Sequence, residues 1–182
     1  MKETGLKVRL YGDPVLRKKA KPVRKVTDEH RKALSAMAQL MYKDQGIGLA
    51  SLQAGLTDAM IVVDIGNCLY KLINPKVTEK KGKQALGEGC LSLPGISIKV
   101  NRARKVKITA LDETGKPVEI DAEDLLACVF QHEIDHLKGK MIVDYASFLD
   151  KLRIKNKLAG LKKLSKSETA EDVKNSFPKT KL

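Results

Sequence analysis

The chain has 182 residues, 42% of them hydrophobic, which is enough for one buried core and short for two full domains. No apolar run approaches the roughly 20 residues of a membrane span, and the opening MKETGLKVRLYGDPVLRKKA lacks the apolar stretch of a secretory signal, so a cytoplasmic protein with no membrane partner is expected. Lys and Arg number 35 against 22 Asp and Glu, a formal charge of +13 that suggests an acidic partner, while three cysteines (Cys68, Cys90, Cys128) do not read as a disulfide framework.

The first predicted element is a helix in TDEHRKALSAMAQLMYKDQG, with Thr27 or Asp28 as N-cap, an apolar face of Leu34, Met37, Ala38 and Met41, and Gly46 as its stop. His30, in the polar first turn, is expected on the surface. GIGLASLQAG follows, where two glycines and small residues let another backbone pass close by. Gln53 in it is an uncharged donor suited to polarising a carbonyl. Taken alone, this stretch reads equally well as a helix-ending turn with a surface glutamine, and with no preceding strand or third glycine it fails as a dinucleotide fingerprint.

AMIVVDI and LYKLINP have the β-branched composition of strands, and in KVKITALDETGKPVEI the alternation of Val106, Ile108 and Ala110 before DETGK predicts a hairpin. Between them, GEGCLSLPG sets Cys90 among glycines and a Pro-Gly turn. DAEDLLACVFQHEIDHL resumes a helical period with acidic residues in its first turn and a glycine stop at Gly139. From Phe148, FLDKLRIKNKLAGLKKLSK carries Leu149, Leu152, Leu158, Leu161 and Leu164 near helical spacing among lysines. That pattern predicts a basic amphipathic helix over about 147–165, serving either as a docked, solvated helix or as an RNA-facing one. The fold class expected is α+β, with antiparallel or mixed β-sheets packed around a central helix, an N-terminal helix and a C-terminal helix. Residues 1–165 form a single domain in this reading, and 166–182 a mobile basic tail.

Chemistry concentrates in QHEIDH. His132 and His136 stand one helical turn apart on one face, so both imidazoles reach a single divalent ion, and Glu133 beside them can move a proton of activated water without binding the metal. A third protein ligand is required. Asp144 and Asp150 downstream lie in ordinary surroundings, and no further histidine follows Gly139. Cys90 is therefore the leading candidate, although a cysteine in such a loop, read alone, is more often a small buried hydrophobe.

Together GIGLASLQ, EGCLS and QHEIDH, in that order and with the opening LYGDPVLRKKA, closely resemble the three signatures of the peptide deformylase family, over roughly residues 5–165. The extended basic C-terminal helix is similar to that of the bacterial type. The resemblance implies that Cys90, His132 and His136 hold one divalent metal, that Glu133 is the acid/base, and that Gln53 and the backbone N–H of Leu91 steady the oxyanion. It implies removal of the formyl group from the N-terminal formylmethionine of new polypeptides. Ile47, Gly48 and Gly89 would contact the substrate, and Leu125, Cys128 and Val129, with Ile47, would line the methionine pocket. The metal implied is Fe2+, with Ni2+ or Co2+ as active substitutes and Zn2+ often less active. The partners implied are formylmethionyl nascent peptides and, through the C-terminal helix, the ribosome, for a monomeric enzyme. Two departures stand out: Ser51 replaces the usual second alanine of the first signature, and Ala103 a common proline after the arginine of NRARKVKI. A general metallopeptidase would share the H-E-x-x-H helix without needing the other two segments, and a basic ribosome-binding protein with a vestigial site is the non-enzymatic alternative.

Overall fold

A computed structural model describes residues 5–167. The first helix, α1 (Asp28–Lys43), forms where its periodicity predicts and buries Leu34, Met37, Ala38, Leu40 and Met41. Its start is fixed by Thr27, whose backbone N–H donates to His30 Nδ1 at 3.1 Å. His30 is thus a half-buried capping partner rather than a surface residue, because the ring folds back over an otherwise unsatisfied donor.

Seven strands follow in the order β1 (Gly48–Ala50), β2 (Met60–Val63), β3 (Tyr70–Lys81), β4 (Gln84–Glu88), β5 (Ile98–Arg102), β6 (Lys105–Leu111) and β7 (Pro117–Glu123). A five-stranded sheet has the order β1-β2-β3-β6-β7, and β4 with β5 forms a separate two-stranded sheet. All these strand pairings are antiparallel, which decides between the antiparallel and mixed expectations. The β6–β7 hairpin closes on Asp112, whose carboxylate accepts from the backbone N–H groups of Thr114 and Lys116, so the DETGK turn is held by its own aspartate. Sequence reasoning did not resolve β1, β4 and β5. β1 and β4 are short and interrupted by glycine, which hides alternation until a partner strand is in place, whereas β5 alternates, with Ile98, Val100 and Arg102 on its buried face.

The central helix α2 (Asp124–His136) buries Ala127 to Ile134 continuously, which amphipathic periodicity alone does not require. Ala127, Val129, Phe130 and Ile134 pack with Ile61, Val63, Leu72, Val106 and Ile108 of the large sheet. The other face of α2 looks toward the turn that follows β4. The last helix, α3 (Phe148–Ser167), extends two residues beyond the expected end, and the remainder of the expected tail lies outside the described residues. Its Ile154 and Leu161 join Leu10, Leu16, Leu93, Ile142 and Val143 in a core, with Leu158 and Leu164 packed against it. Leu149 and Leu152 do not dock; they are 62% and 63% exposed, on the side of the helix turned from the domain. Among the described residues no helix is long and apolar enough to cross a membrane.

Candidate metal centre

The pitch of α2 stacks His132 and His136 one turn apart with their Nε2 atoms 3.2 Å from each other. Cys90 arrives from the turn after β4, a turn tightened by the Leu93 N–H donating to the Cys90 carbonyl at 2.9 Å. Its Sγ lies 3.3 Å from His136 Nε2, and the three ligand atoms of Cys90, His132 and His136 all fall within 4.8 Å of one another. Two imidazole nitrogens and a thiolate around a tetrahedral ion sit about 3.3–3.7 Å apart, so this donor set fits a divalent metal and leaves a coordination position open. It is the one such group among the described residues, and Asp144 and Asp150 have no part in it.

A second layer orients the first. His132 Nδ1 is 2.8 Å from Glu88 Oε2, which turns Nε2 toward the centre. Arg102 grips Glu88 in turn with two hydrogen bonds, and its other arm donates to Asp135, which also accepts from the Tyr145 hydroxyl at 2.7 Å. Burial pushes the Glu88 carboxyl upward, but hydrogen bonds from His132 and Arg102 overcome it and hold the group down at about 2. Sequence reasoning did not single out Glu88, Arg102, Asp135 and Tyr145. The available cue was Arg102 itself: Ile98, Val100 and Arg102 occupy the buried alternate positions of β5, and a buried arginine on an apolar strand face requires a carboxylate.

Glu133 is 4% exposed, its Oε2 has no hydrogen-bond partner among the described residues, and burial raises its carboxyl to about 7. Gln53 is fixed by its own Oε1, which accepts from the Ala50 N–H at 2.9 Å, so its Nε2 lies 3.4 Å from Cys90 Sγ and 3.2 Å from Ser92 Oγ. The glutamine is buried beside Cys90 and is not the surface residue its isolated motif allowed. Leu91 and Gly89 flank Cys90 and are half-buried.

The residues expected to line a methionine pocket separate in space. Val129 is buried, with Ile47 packed in the same apolar cluster, and Val129 lies one turn from Glu133 and against Gly48. Cys128 points elsewhere, its Sγ donating to Glu88 Oε1 at 3.2 Å, and burial beside that carboxylate pushes its thiol up to about 12. Leu125 sits on the first turn of α2 and is 47% exposed. Ser51 is fully buried with its Oγ unpartnered among the described residues. Ala103 exchanges two hydrogen bonds with the Gln131 amide, giving its N–H to Oε1 at 3.1 Å and accepting from Nε2 at 3.0 Å. A proline at that position has no N–H to give.

Comparison with known proteins agrees with this geometry. Residues 6–152 match the family model described as polypeptide deformylase. A peptide deformylase of Thermoanaerobacter pseudethanolicus is 49% identical over 144 residues, covering 79% of this chain and 91% of the relative. Among solved structures, a peptide deformylase from Legionella pneumophila superposes with a TM-score of 0.82 at 38% identity, covering 90% of this chain and 98% of that one. A plant peptide deformylase superposes with a TM-score of 0.85 at 34% identity, covering 99% of both chains. With the match spanning all three segments that build the centre, this chain belongs to the peptide deformylase family.

Proposed function

We propose that the chain hydrolyses the N-formyl amide at the N-terminal formylmethionine of newly synthesised polypeptides, releasing formate and a free amine, with one divalent ion held by Cys90, His132 and His136. When bound, that ion supplies the positive charge that acidifies water and polarises the formyl carbonyl. Glu133 accepts the proton of the attacking water as the new C–O bond forms, then delivers it to the amine nitrogen as the C–N bond breaks. Gln53 Nε2 and the Leu91 N–H donate to the oxyanion as charge builds there. The observation that carries this reading is the buried Glu133 carboxylate, unpartnered at Oε2 and carried by the residue next to His132, beside a three-donor cluster with an open position.

The substrate backbone adds to β1, an edge strand of the large sheet, at Ile47 and Gly48, with Gly89 opposite and the methionine side chain against Val129 and Ile47. The resemblance to the family implies Fe2+ as the working metal, while a thiolate with two imidazoles suits Zn2+, Ni2+ or Co2+ at the same donors as well. The enzyme acts in the cytoplasm as a monomer and meets its substrate at the ribosome through the lysines of α3.

The test is formate release from a formyl-Met-Ala-Ser peptide by protein prepared without oxygen, with bound metal quantified in the same sample. Release in proportion to metal content, with no cleavage of the unformylated peptide, is expected. Peptide-bond cleavage of the unformylated peptide, or a metal-loaded protein that releases no formate, overturns the reading.

A further inference from the structure

Two glycines, Gly46 and Gly48, bracket Ile47, and neither has the positive φ that only glycine adopts easily. An alanine at either position is therefore conformationally ordinary, and whatever excludes it must be a contact. A Cβ built on Gly48 falls 2.4 Å from Glu133 Oε1, 2.9 Å from Glu133 Cδ and 2.9 Å from Val129 Cγ1. The three atoms nearest a Cβ on Gly46 all belong to the Leu91 side chain, with the flexible Cδ1 at 2.7 Å and Cγ at 3.3 Å. The Glu133 side chain thus rests against the bare Cα of Gly48 in β1.

We propose that Gly48 is a positioning residue for Glu133: the missing side chain is the seat that holds the carboxylate at the height from which it reaches the centre. The proposal rests on the role assigned to Glu133 above. Its physical basis is packing. Glu133 is 4% exposed, Val129 closes the space one turn before it, and Oε2 is unpartnered among the described residues, so within that set no hydrogen bond to Oε2 fixes the carboxylate. Steric confinement between β1 and α2 supplies the restraint instead. A methyl at 48 has to push the carboxylate aside, and a displacement near 1 Å at a proton-transfer group is on the order of a hundredfold in rate.

The experiment is a double-mutant cycle on metal-loaded protein, with kcat, KM, bound metal and thermal unfolding measured for Gly48→Ala, Glu133→Asp, the double variant and Gly46→Ala. Shortening the side chain by one carbon withdraws the carboxylate by about 1.5 Å and relieves the closest contact of a Cβ at 48, leaving only Val129 Cγ1, at 2.9 Å, of the three nearest atoms to give way. Gly48→Ala is expected to lower kcat at least tenfold with one metal per chain, yet to cost under threefold in kcat in the Glu133→Asp background. Gly46→Ala is expected to cost much less than Gly48→Ala. An equal fold-loss from Gly48→Ala in both backgrounds, no loss at all, or an equal loss from Gly46→Ala overturns the proposal. If Gly48→Ala alone does not fold, the double variant is expected to fold and bind metal, and its failure to do so also overturns it. A wild type that releases no formate sinks the function proposed above, whereas an active wild type with no coupling between residues 48 and 133 sinks only this inference.

Discussion

Arg102 and Glu88 face each other through two parallel bonds, Nε to Oε1 at 2.8 Å and Nη2 to Oε2 at 3.0 Å, and both side chains are only 5% exposed. The pair matters because Glu88 also holds His132. Arg102→Ala strands two carboxylates, Glu88 and Asp135, and is expected to destabilise the fold by about 3–5 kcal/mol in denaturant unfolding and to weaken metal binding roughly 10–100-fold. Arg102→Lys should not restore either quantity, since an ammonium cannot grip Glu88 along both edges while reaching Asp135. Metal affinity equal to wild type in a folded Arg102→Ala protein would detach this layer from the centre.

The ligand and proton-transfer roles separate on metal analysis. Cys90→Ala, His132→Ala and His136→Ala each remove one of three donors, so metal and deformylase activity should disappear together. Glu133→Ala should keep its metal and lose at least two orders of magnitude in kcat. Full metal occupancy in Cys90→Ala, or an empty Glu133→Ala protein, contradicts the assignment.

The three thiols should respond differently to a maleimide at neutral pH. Cys68 is exposed and reacts first. Cys128 is buried with its thiol pushed up to about 12, so it stays unmodified until the protein unfolds. Cys90 is expected to be protected while metal is bound and to label after chelation. Mass spectrometry of the modified protein reads all three, and fast labelling of Cys128 in the native state is the outcome that refutes this environment.

Ser51→Ala should stabilise the protein by about 1 kcal/mol, because it removes a buried hydroxyl with no partner among the described residues while keeping the small volume of the site. The check is the denaturation midpoint. A destabilised variant would mean that the Ser51 hydroxyl finds a partner in solution.

The C-terminal helix needs a test that leaves its buried face alone. Truncation after Asp150 would remove Ile154 and Leu161 from the core, and a single Leu161→Ala change is already expected to cost about 2–5 kcal/mol. Reversing exposed charges, as in Lys155→Glu with Lys163→Glu, spares that core. Tripeptide turnover should hold while cosedimentation with ribosomes weakens and loses part of its salt dependence. Unchanged binding at matched ionic strength would leave these lysines as a solvated face.

Much of this protein was legible in one dimension wherever the determining interactions are local. The 3.6-residue period of α1, the turn chemistry of DETGK and the i, i+4 spacing of His132 and His136 depend on residues a few positions apart, so the sequence by itself determined them. The three signatures likewise named Cys90 and Gln53, though their neighbourhood had to be supplied by resemblance. Only the tertiary structure decided what depends on segments distant along the chain. It set Glu88 between His132 and Arg102, turned the Cys128 thiol toward Glu88, left Leu125, Leu149 and Leu152 exposed, and converted His30 from a surface residue into a cap. The physical reason is common to all of these. Periodicity says which side of an element is apolar, but the partner of a buried charge and the atom under a glycine are fixed by how β1, β5 and α2 pack, and that packing is a property of the whole fold.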